Sequence, residues 1–168
     1  MTITADPDDL LKLEHQVCFA LHSASRAFGG VYREALRDLD LTYPQYLAML
    51  TLWEHGELPV KRIGELLRLD SGTLSPLLKR LEAAGLVQRA RSTEDERSVI
   101  VRPTAAGTAL RVRATEVPHR IAAATGLDPL DLRALHGMLL RLTERLDSAG
   151  DVREQCGDPG RPGPAGQQ

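Results

Sequence analysis

Residues 69–82 read Leu69-Asp70-Ser71-Gly72-Thr73-Leu74-Ser75-Pro76-Leu77-Leu78-Lys79-Arg80-Leu81-Glu82, and this stretch decides the fold. Asp70-Ser71-Gly72 is turn and cap chemistry. Leu74, Leu77, Leu78 and Leu81 then recur three or four apart, so the spacing predicts a helix with one leucine face that ends at Gly85. Pro76 is tolerated only near a helix start, which supports the boundary. Ser71, Thr73 and Ser75 put small polar groups at the N-terminal end, where a helix can reach base edges and phosphates. Lys79 and Arg80, further along, can neutralise backbone phosphates. Alone, Ser71 and Thr73 serve equally well as plain caps.

The neighbouring segments favour the DNA-reading alternative. Before this helix, Val60 to Leu69 reads as a shorter one that buries Ile63, Leu66 and Leu67. Earlier still, Thr42 and Gln45 fit a capping box with Pro44 in the first turn, and the helix they open runs through Leu47, Leu50 and Leu52 or Trp53 to Gly56. After Gly85 the period changes. Leu86 to Arg91 and Ser98 to Arg102 are β-prone runs around the polar Ser92–Arg97, which reads as a hairpin. Three short helices and a hairpin make a winged helix-turn-helix, mainly α with a small β-hairpin. Within the hairpin, Arg89, Arg91 and Arg97 surround Glu94-Asp95-Glu96. An arginine at the wing tip suits a narrow minor groove, and Asp95 can hold Arg97 by a charge-assisted hydrogen bond. The candidate DNA contacts are therefore Asp70, Ser71, Thr73, Ser75, Pro76, Lys79, Arg80, Arg91, Asp95 and Arg97.

The flanks read as helices for association. From Leu10 to Leu39, apolar side chains recur three or four apart, predicting one helix over 9–39 of about 45 Å at ~1.5 Å per residue. So long a helix needs a partner chain to cover it. Thr104 caps a fifth helix that Pro118 ends or kinks. A sixth begins at Asp128-Pro129 and buries Leu132, Leu135, Leu139 and Leu142. From residue 147 onward, five Gly and three Pro with few large apolar groups predict a disordered tail. The organisation is a flexible 1–8, a domain over 9–146 and a tail over 147–168. Within the domain, 42–103 form the winged helix, while 9–39 and 104–146 supply the dimerising N- and C-terminal helices.

Composition sets the outer bounds. The 168 residues suit one domain with an appendage, and 42% hydrophobic with 26% charged residues exclude wholesale disorder. No run approaches the ~20 apolar residues of a membrane span. The acidic start shows no secretory signal. The net charge of −2 hides an asymmetry, since residues 59–104 hold nine Lys and Arg against six Asp and Glu while residues 1–58 hold four against nine. A nucleic-acid surface therefore belongs in the middle. Two cysteines, Cys18 and Cys156, argue against a disulfide framework and for a reducing, cytoplasmic setting. No motif asks for a cofactor.

Asp95-Glu96-Arg97, downstream of Leu81-Glu82-Ala83-Ala84-Gly85-Leu86-Val87, resembles the MarR family of dimeric winged-helix regulators. Cys18-Phe19-Ala20-Leu21, Leu41-Thr42-Tyr43-Pro44-Gln45-Tyr46, Leu52-Trp53-Glu54-His55 and Leu69-Asp70-Ser71-Gly72-Thr73-Leu74 are similar to its OhrR branch of organic-hydroperoxide-sensing repressors, as is Leu77-Leu78-Lys79-Arg80-Leu81-Glu82. The resemblance spans about residues 10–145. It implies a homodimer on a pseudo-palindromic double-stranded operator, released when an organic hydroperoxide oxidises Cys18. By itself, Cys18 shares a polar helical stripe with His15, His22 and Tyr32, and that pattern alone favours a half-buried apolar filler, a reading the resemblance reverses.

The resemblance also implies two tyrosine hydroxyls as hydrogen-bond donors to the thiolate, matching Tyr32 and Tyr43. Tyr32 lies 14 positions from Cys18, roughly 21 Å along a helix, so it must come from the other subunit. His22 stands where some relatives carry a further tyrosine, and its imidazole can also donate a hydrogen bond. Ala122 to Ala124 occupy the region where two-cysteine relatives carry a resolving cysteine. A one-cysteine sensor pairing with a small-molecule thiol follows, with Cys156 from the tail as the alternative. Three other functions compete. His15, Cys18 and His22 have the spacing of helical metal ligands. Cys18 could serve a thiol peroxidase, although no base or arginine is evident beside it. An interaction protein that ignores DNA is opposed by the basic middle segment.

Overall fold

The computed structural model describes residues 7–92 and 98–155. The chain divides into two compact units, up to Ala124 and from Thr125 onward. In the first unit come α1 (Pro7–Leu10), a 3-10 turn (Leu13–His15), α2 (Val17–Ala35), a second 3-10 turn (Arg37–Leu39), α3 (Tyr43–His55) and β1 (Leu58–Pro59). Then follow α4 (Val60–Leu67), α5 (Ser71–Ala83), β2 (Val87–Arg91), β3 (Val99–Pro103), α6 (Ala105–Ala114) and α7 (Glu116–Thr125).

The single helix expected over 9–39 is broken. Gln16 is extended, with φ −83° and ψ 110°, so α2 starts at Val17. The side-chain amide of Gln16 donates to the carbonyls of Leu10 at 2.5 Å and Lys12 at 3.3 Å. In an unbroken helix those carbonyls would accept main-chain N–H groups four residues on. The apolar spacing hides the break, because Leu10 and Leu13 stay in phase with the residues after it.

The core forms where the short helices meet the sheet. Met49 and Leu52 of α3, Ile63 of α4, Leu74, Leu78 and Leu81 of α5, Val87 and Val101 are all fully buried. The leucine face of residues 74–81 is as the spacing predicts. Leu66 departs from expectation and is 39% exposed. The two-turn α4 turns Ile63 and Gly64 inward, and Arg68 ends it in the left-handed conformation at φ 54°.

The hairpin strands pair antiparallel, with Val87 opposite Pro103 and Arg91 opposite Val99. A third strand, β1, joins the outer side of β3, with Leu58 opposite Val101, giving the order β1-β3-β2. Two residues are too short a run to show alternation, and Pro59 is tolerated because the strand lies at the edge.

The Gln45 amide oxygen accepts from the Thr42 N–H at 2.8 Å and its hydroxyl at 2.9 Å, while Gly56 closes α3 at φ 77°. Thr104 caps α6 through Gly107 N–H at 3.0 Å. Pro118 ends that helix as expected: it has no N–H for the Ala114 carbonyl four residues back and its ring crowds that carbonyl, and Ala114 is the last residue of α6. The break falls at Thr115, and Pro118 sits in the first turn of α7, where its missing N–H costs little.

The second unit contains α8 (Pro129–Gln155). Asp128 opens it, its Oδ1 accepting from the N–H groups of Leu130 at 2.7 Å and Asp131 at 2.9 Å. Leu132, Leu135 and Leu142 are half-buried and Leu139 is exposed, so this face is not the buried one predicted. The helix also continues to Gln155 instead of yielding to a tail at 147. Four of the five glycines and all three prolines of that stretch lie beyond Gln155, and their weight in its composition concealed the helical residues before them.

Candidate functional site

The turn between α4 and α5 is held by main-chain bonds. Leu69 N–H donates to the Gly64 carbonyl at 2.9 Å, and a Cβ on Gly64 would lie only 3.0 Å from the Leu69 carbonyl oxygen. Asp70 then caps α5. Its Oδ1 accepts from Thr73 N–H and its Oδ2 from the Thr73 hydroxyl, both at 2.9 Å. The Thr73 N–H above all, then its hydroxyl, holds the Asp70 carboxyl below its ordinary range. Of the sequence-selected DNA contacts, Asp70 and Thr73 thus engage each other. Ser71, Pro76, Lys79 and Arg80 are exposed on the same helix, and Ser75 is half-buried.

The wing leaves α5 through a left-handed Gly85 at φ 72°. Gly85 N–H bonds the Glu82 carbonyl at 2.9 Å and Leu86 N–H bonds the Leu81 carbonyl at 3.0 Å, a Schellman ending. Arg91 is exposed at the far end of β2. Asp95 and Arg97 lie outside the described residues. Sequence reasoning grouped Arg89 with the wing-tip cations, but its guanidinium bonds Glu82 instead, Nε to Oε2 at 2.8 Å. A glutamate in the last helical turn, seven residues before an arginine on the next strand, was the available signal.

Cys18 lies in the first turn of α2 and is exposed, with its thiol free. His22, also exposed, follows one turn later on the same helix. Tyr32 stands 14 residues along the same unbroken helix, about 21 Å away at ~1.5 Å per residue. The fold brings Tyr32 and Tyr43 together, with ring centroids 4.4 Å apart, and Tyr46 lies 6.3 Å from Tyr32. Burial, reinforced by Tyr43 and Tyr46, pushes the Tyr32 phenol up from its ordinary value. That hydroxyl therefore stays protonated and able to donate. Leu10, Leu11, Leu13, Val17, Phe19 and Leu21 are exposed around the thiol-bearing end of α2.

The proposed metal ligands do not form one stripe. Extended Gln16 separates His15 from α2, and His15 Nδ1 lies 2.8 Å from the Asp9 carbonyl. Among the described residues, no three His, Cys, Asp or Glu side chains are grouped to hold a metal ion. No helix among them is long and apolar enough to cross a membrane.

A family model described as MarR family matches residues 41–99. The chain is 48% identical over 138 residues to the organic hydroperoxide resistance transcriptional regulator of Bacillus subtilis (strain 168), covering 82% of this chain and 94% of that protein. The chain belongs to the MarR family. The identity to the Bacillus regulator supports the OhrR branch of that family. A second relative, the HTH-type transcriptional regulator TtmR of Methylorubrum extorquens (strain PA1), is 48% identical over 147 residues, 88% of this chain and 75% of that protein. Among solved structures, reduced AbfR bound to DNA matches with a TM-score of 0.69 and 33% identity, over 83% of this chain and 96% of that one. The helical body with its small antiparallel sheet is the winged-helix fold of these regulators. Proteins of this kind are transcriptional regulators, which sets aside the thiol-peroxidase and DNA-independent alternatives.

Proposed function

We propose that this MarR-family regulator represses transcription as a homodimer, senses organic hydroperoxides through Cys18 and then releases its operator. The observation that carries the reading is the 48% identity, over nearly the whole of the relative, to a protein named for organic hydroperoxide resistance. The placement of the candidate residues agrees with it. Cys18 is exposed on a helix end rich in exposed apolar side chains, which suits both a partner subunit and an alkyl hydroperoxide. Tyr32 and Tyr43 form one donor pair too far from the thiol of the same chain, so the partner subunit supplies them.

The chemistry balances with the hydroperoxide as oxidant. The Cys18 thiolate attacks the outer peroxide oxygen, an S–O bond forms, the O–O bond breaks, and the alkoxide takes a proton and leaves as an alcohol. The sulfenic acid then condenses with a small-molecule thiol, giving a mixed disulfide and water. A bulkier, uncharged sulfur no longer holds the tyrosine pair, and the two-state dimer shifts away from its DNA-binding form. In that form Ser71, Thr73, Ser75, Pro76, Lys79 and Arg80 enter the major groove, while Arg91, Asp95 and Arg97 accompany the wing.

Fluorescence anisotropy on DNA upstream of its own gene tests this, at fixed salt, with and without an organic hydroperoxide plus a small thiol. Wild type releases the DNA on oxidation and Cys18→Ser does not. Release of both proteins, or of neither, refutes the thiol switch.

A further inference from the structure

We infer that Glu82 is a positioning residue for DNA binding, holding the wing in register with the recognition helix by gripping Arg89. The two DNA-reading parts of the fold, α5 and the β2–β3 hairpin, are joined by the short turn at Gly85. Such a turn is a pivot, since a glycine at positive φ has neighbouring conformations open to it. Beyond the Schellman bonds to Leu81 and Glu82, two further sets of contacts fix it. From one side, the Thr104 hydroxyl donates to the Gly85 carbonyl at 2.6 Å and the Thr104 N–H to the Leu86 carbonyl at 3.0 Å. These tie the pivot to the start of α6.

From the other side, Glu82 spans the pivot. Its Oε1 accepts the main-chain N–H of Arg89 at 3.1 Å, and its Oε2 accepts the Arg89 Nε at 2.8 Å. One bond takes hold of the strand backbone and the other of the side chain, so the carboxylate fixes both the position and the rotation of β2. Both residues are half-buried, where a charge-assisted pair is stronger than on the open surface. The Glu82 carboxyl is accordingly held below its ordinary range, chiefly by the Arg89 side chain.

Two consequences follow for DNA. The Arg89 charge is committed within the protein and does not serve as a phosphate contact. Arg91 is two residues further along the strand, on the same face, and exposed. Orienting Arg89 therefore aims Arg91 as well. A cleft of about 380 Å³ between the two reading elements is lined by Ser75 and Leu78 of α5 and by Arg89 and Val99 of the hairpin.

The inference rests on DNA binding by the winged helix and is independent of peroxide sensing, so the test uses reduced full-length protein without oxidant. Two duplexes carry the same pseudo-palindrome, one with the flanking base pairs under the wings and one trimmed to the bases under the recognition helices. Wild type binds the trimmed duplex about tenfold more weakly, the worth of one good groove contact. Glu82→Ala binds the long duplex as weakly as the trimmed one, so its length penalty disappears while trimmed-duplex affinity is retained. Thermal melts in parallel confirm folding, and if Glu82→Ala fails to fold, Glu82→Gln, which keeps the shape and one acceptor, carries the same comparison. An unchanged length penalty in the variant, or equal weakening on both duplexes, overturns the positioning role.

Discussion

A Cβ placed on Gly107 would lie 2.0 Å from the carbonyl oxygen of Leu86, so α6 crosses the start of the wing at a distance only glycine permits. The contact is locked from a third element, because the Trp53 indole N–H donates to the Gly107 carbonyl at 2.8 Å. Gly107→Ala must push backbone against backbone, with no flexible side chain to yield. It is expected to lower unfolding free energy by about 1–3 kcal/mol, the usual cost of overpacking. Urea denaturation followed by the fluorescence of Trp53, the sole tryptophan, measures it. A midpoint equal to wild type would show that α6 shifts freely against the wing.

Lys79 and Arg80 are exposed on α5, and among the described residues no side chain engages either through a hydrogen bond or an ion pair. If they contact phosphates, as proposed above, their contribution to DNA binding is electrostatic and indifferent to sequence. Replacing either with alanine is expected to weaken operator and random DNA to the same degree. The slope of log K against log salt should drop by about one unit for each phosphate that a subunit no longer neutralises. A variant that weakens only on the operator, at an unchanged slope, would assign that residue to base reading.

The winged module was legible because each boundary carries local chemistry: the Thr42–Gln45 box, the Asp70 cap, Gly85, and Thr104. The leucines of α5 are spaced for one face and are buried on that face. What escaped was set by interactions that spacing does not encode. Gln16 breaks the first helix by bonding carbonyls behind it, a competition invisible to apolar periodicity. That break matters to the site, since it moves Cys18 from mid-helix to a helix start. The Glu82–Arg89 pair crosses a turn, and β1 is two residues long, so neither produces a periodic signal.

The proposed trans arrangement of Cys18 with Tyr32 and Tyr43 predicts complementation. Cys18→Ser lacks the thiol and keeps the tyrosines, whereas Tyr32→Phe/Tyr43→Phe keeps the thiol and lacks the hydroxyls. Each homodimer is expected to oxidise slowly or not at all. The mixed dimer contains one complete pair across its interface and should oxidise one Cys18 per dimer at the wild-type rate. Mass spectrometry of peroxide-treated mixtures reads this directly. Slow oxidation in the mixed dimer would place the tyrosines' action within one chain and contradict the roughly 21 Å separation along α2.

Stability in acid follows from the two depressed carboxylates of the reading module, Asp70 and Glu82. Both titrate lower in the folded chain than in the unfolded one, where Asp and Glu ionise near about 3.9 and 4.3. As pH falls, the unfolded chain takes up these protons first, so the stabilisation is full above the unfolded values and fades as pH drops through the folded ones. Wild type should therefore lose melting temperature between about pH 5 and pH 3. Asp70→Asn and Glu82→Gln should each melt below wild type at pH 7 and converge on it in acid. Asp70→Asn keeps a competent cap, so its deficit at pH 7 should be the smaller of the two. Parallel melting curves for wild type and Glu82→Gln across this range would mean that the Arg89 contact contributes nothing to the ionised state, and the grip on the wing would lose its electrostatic basis.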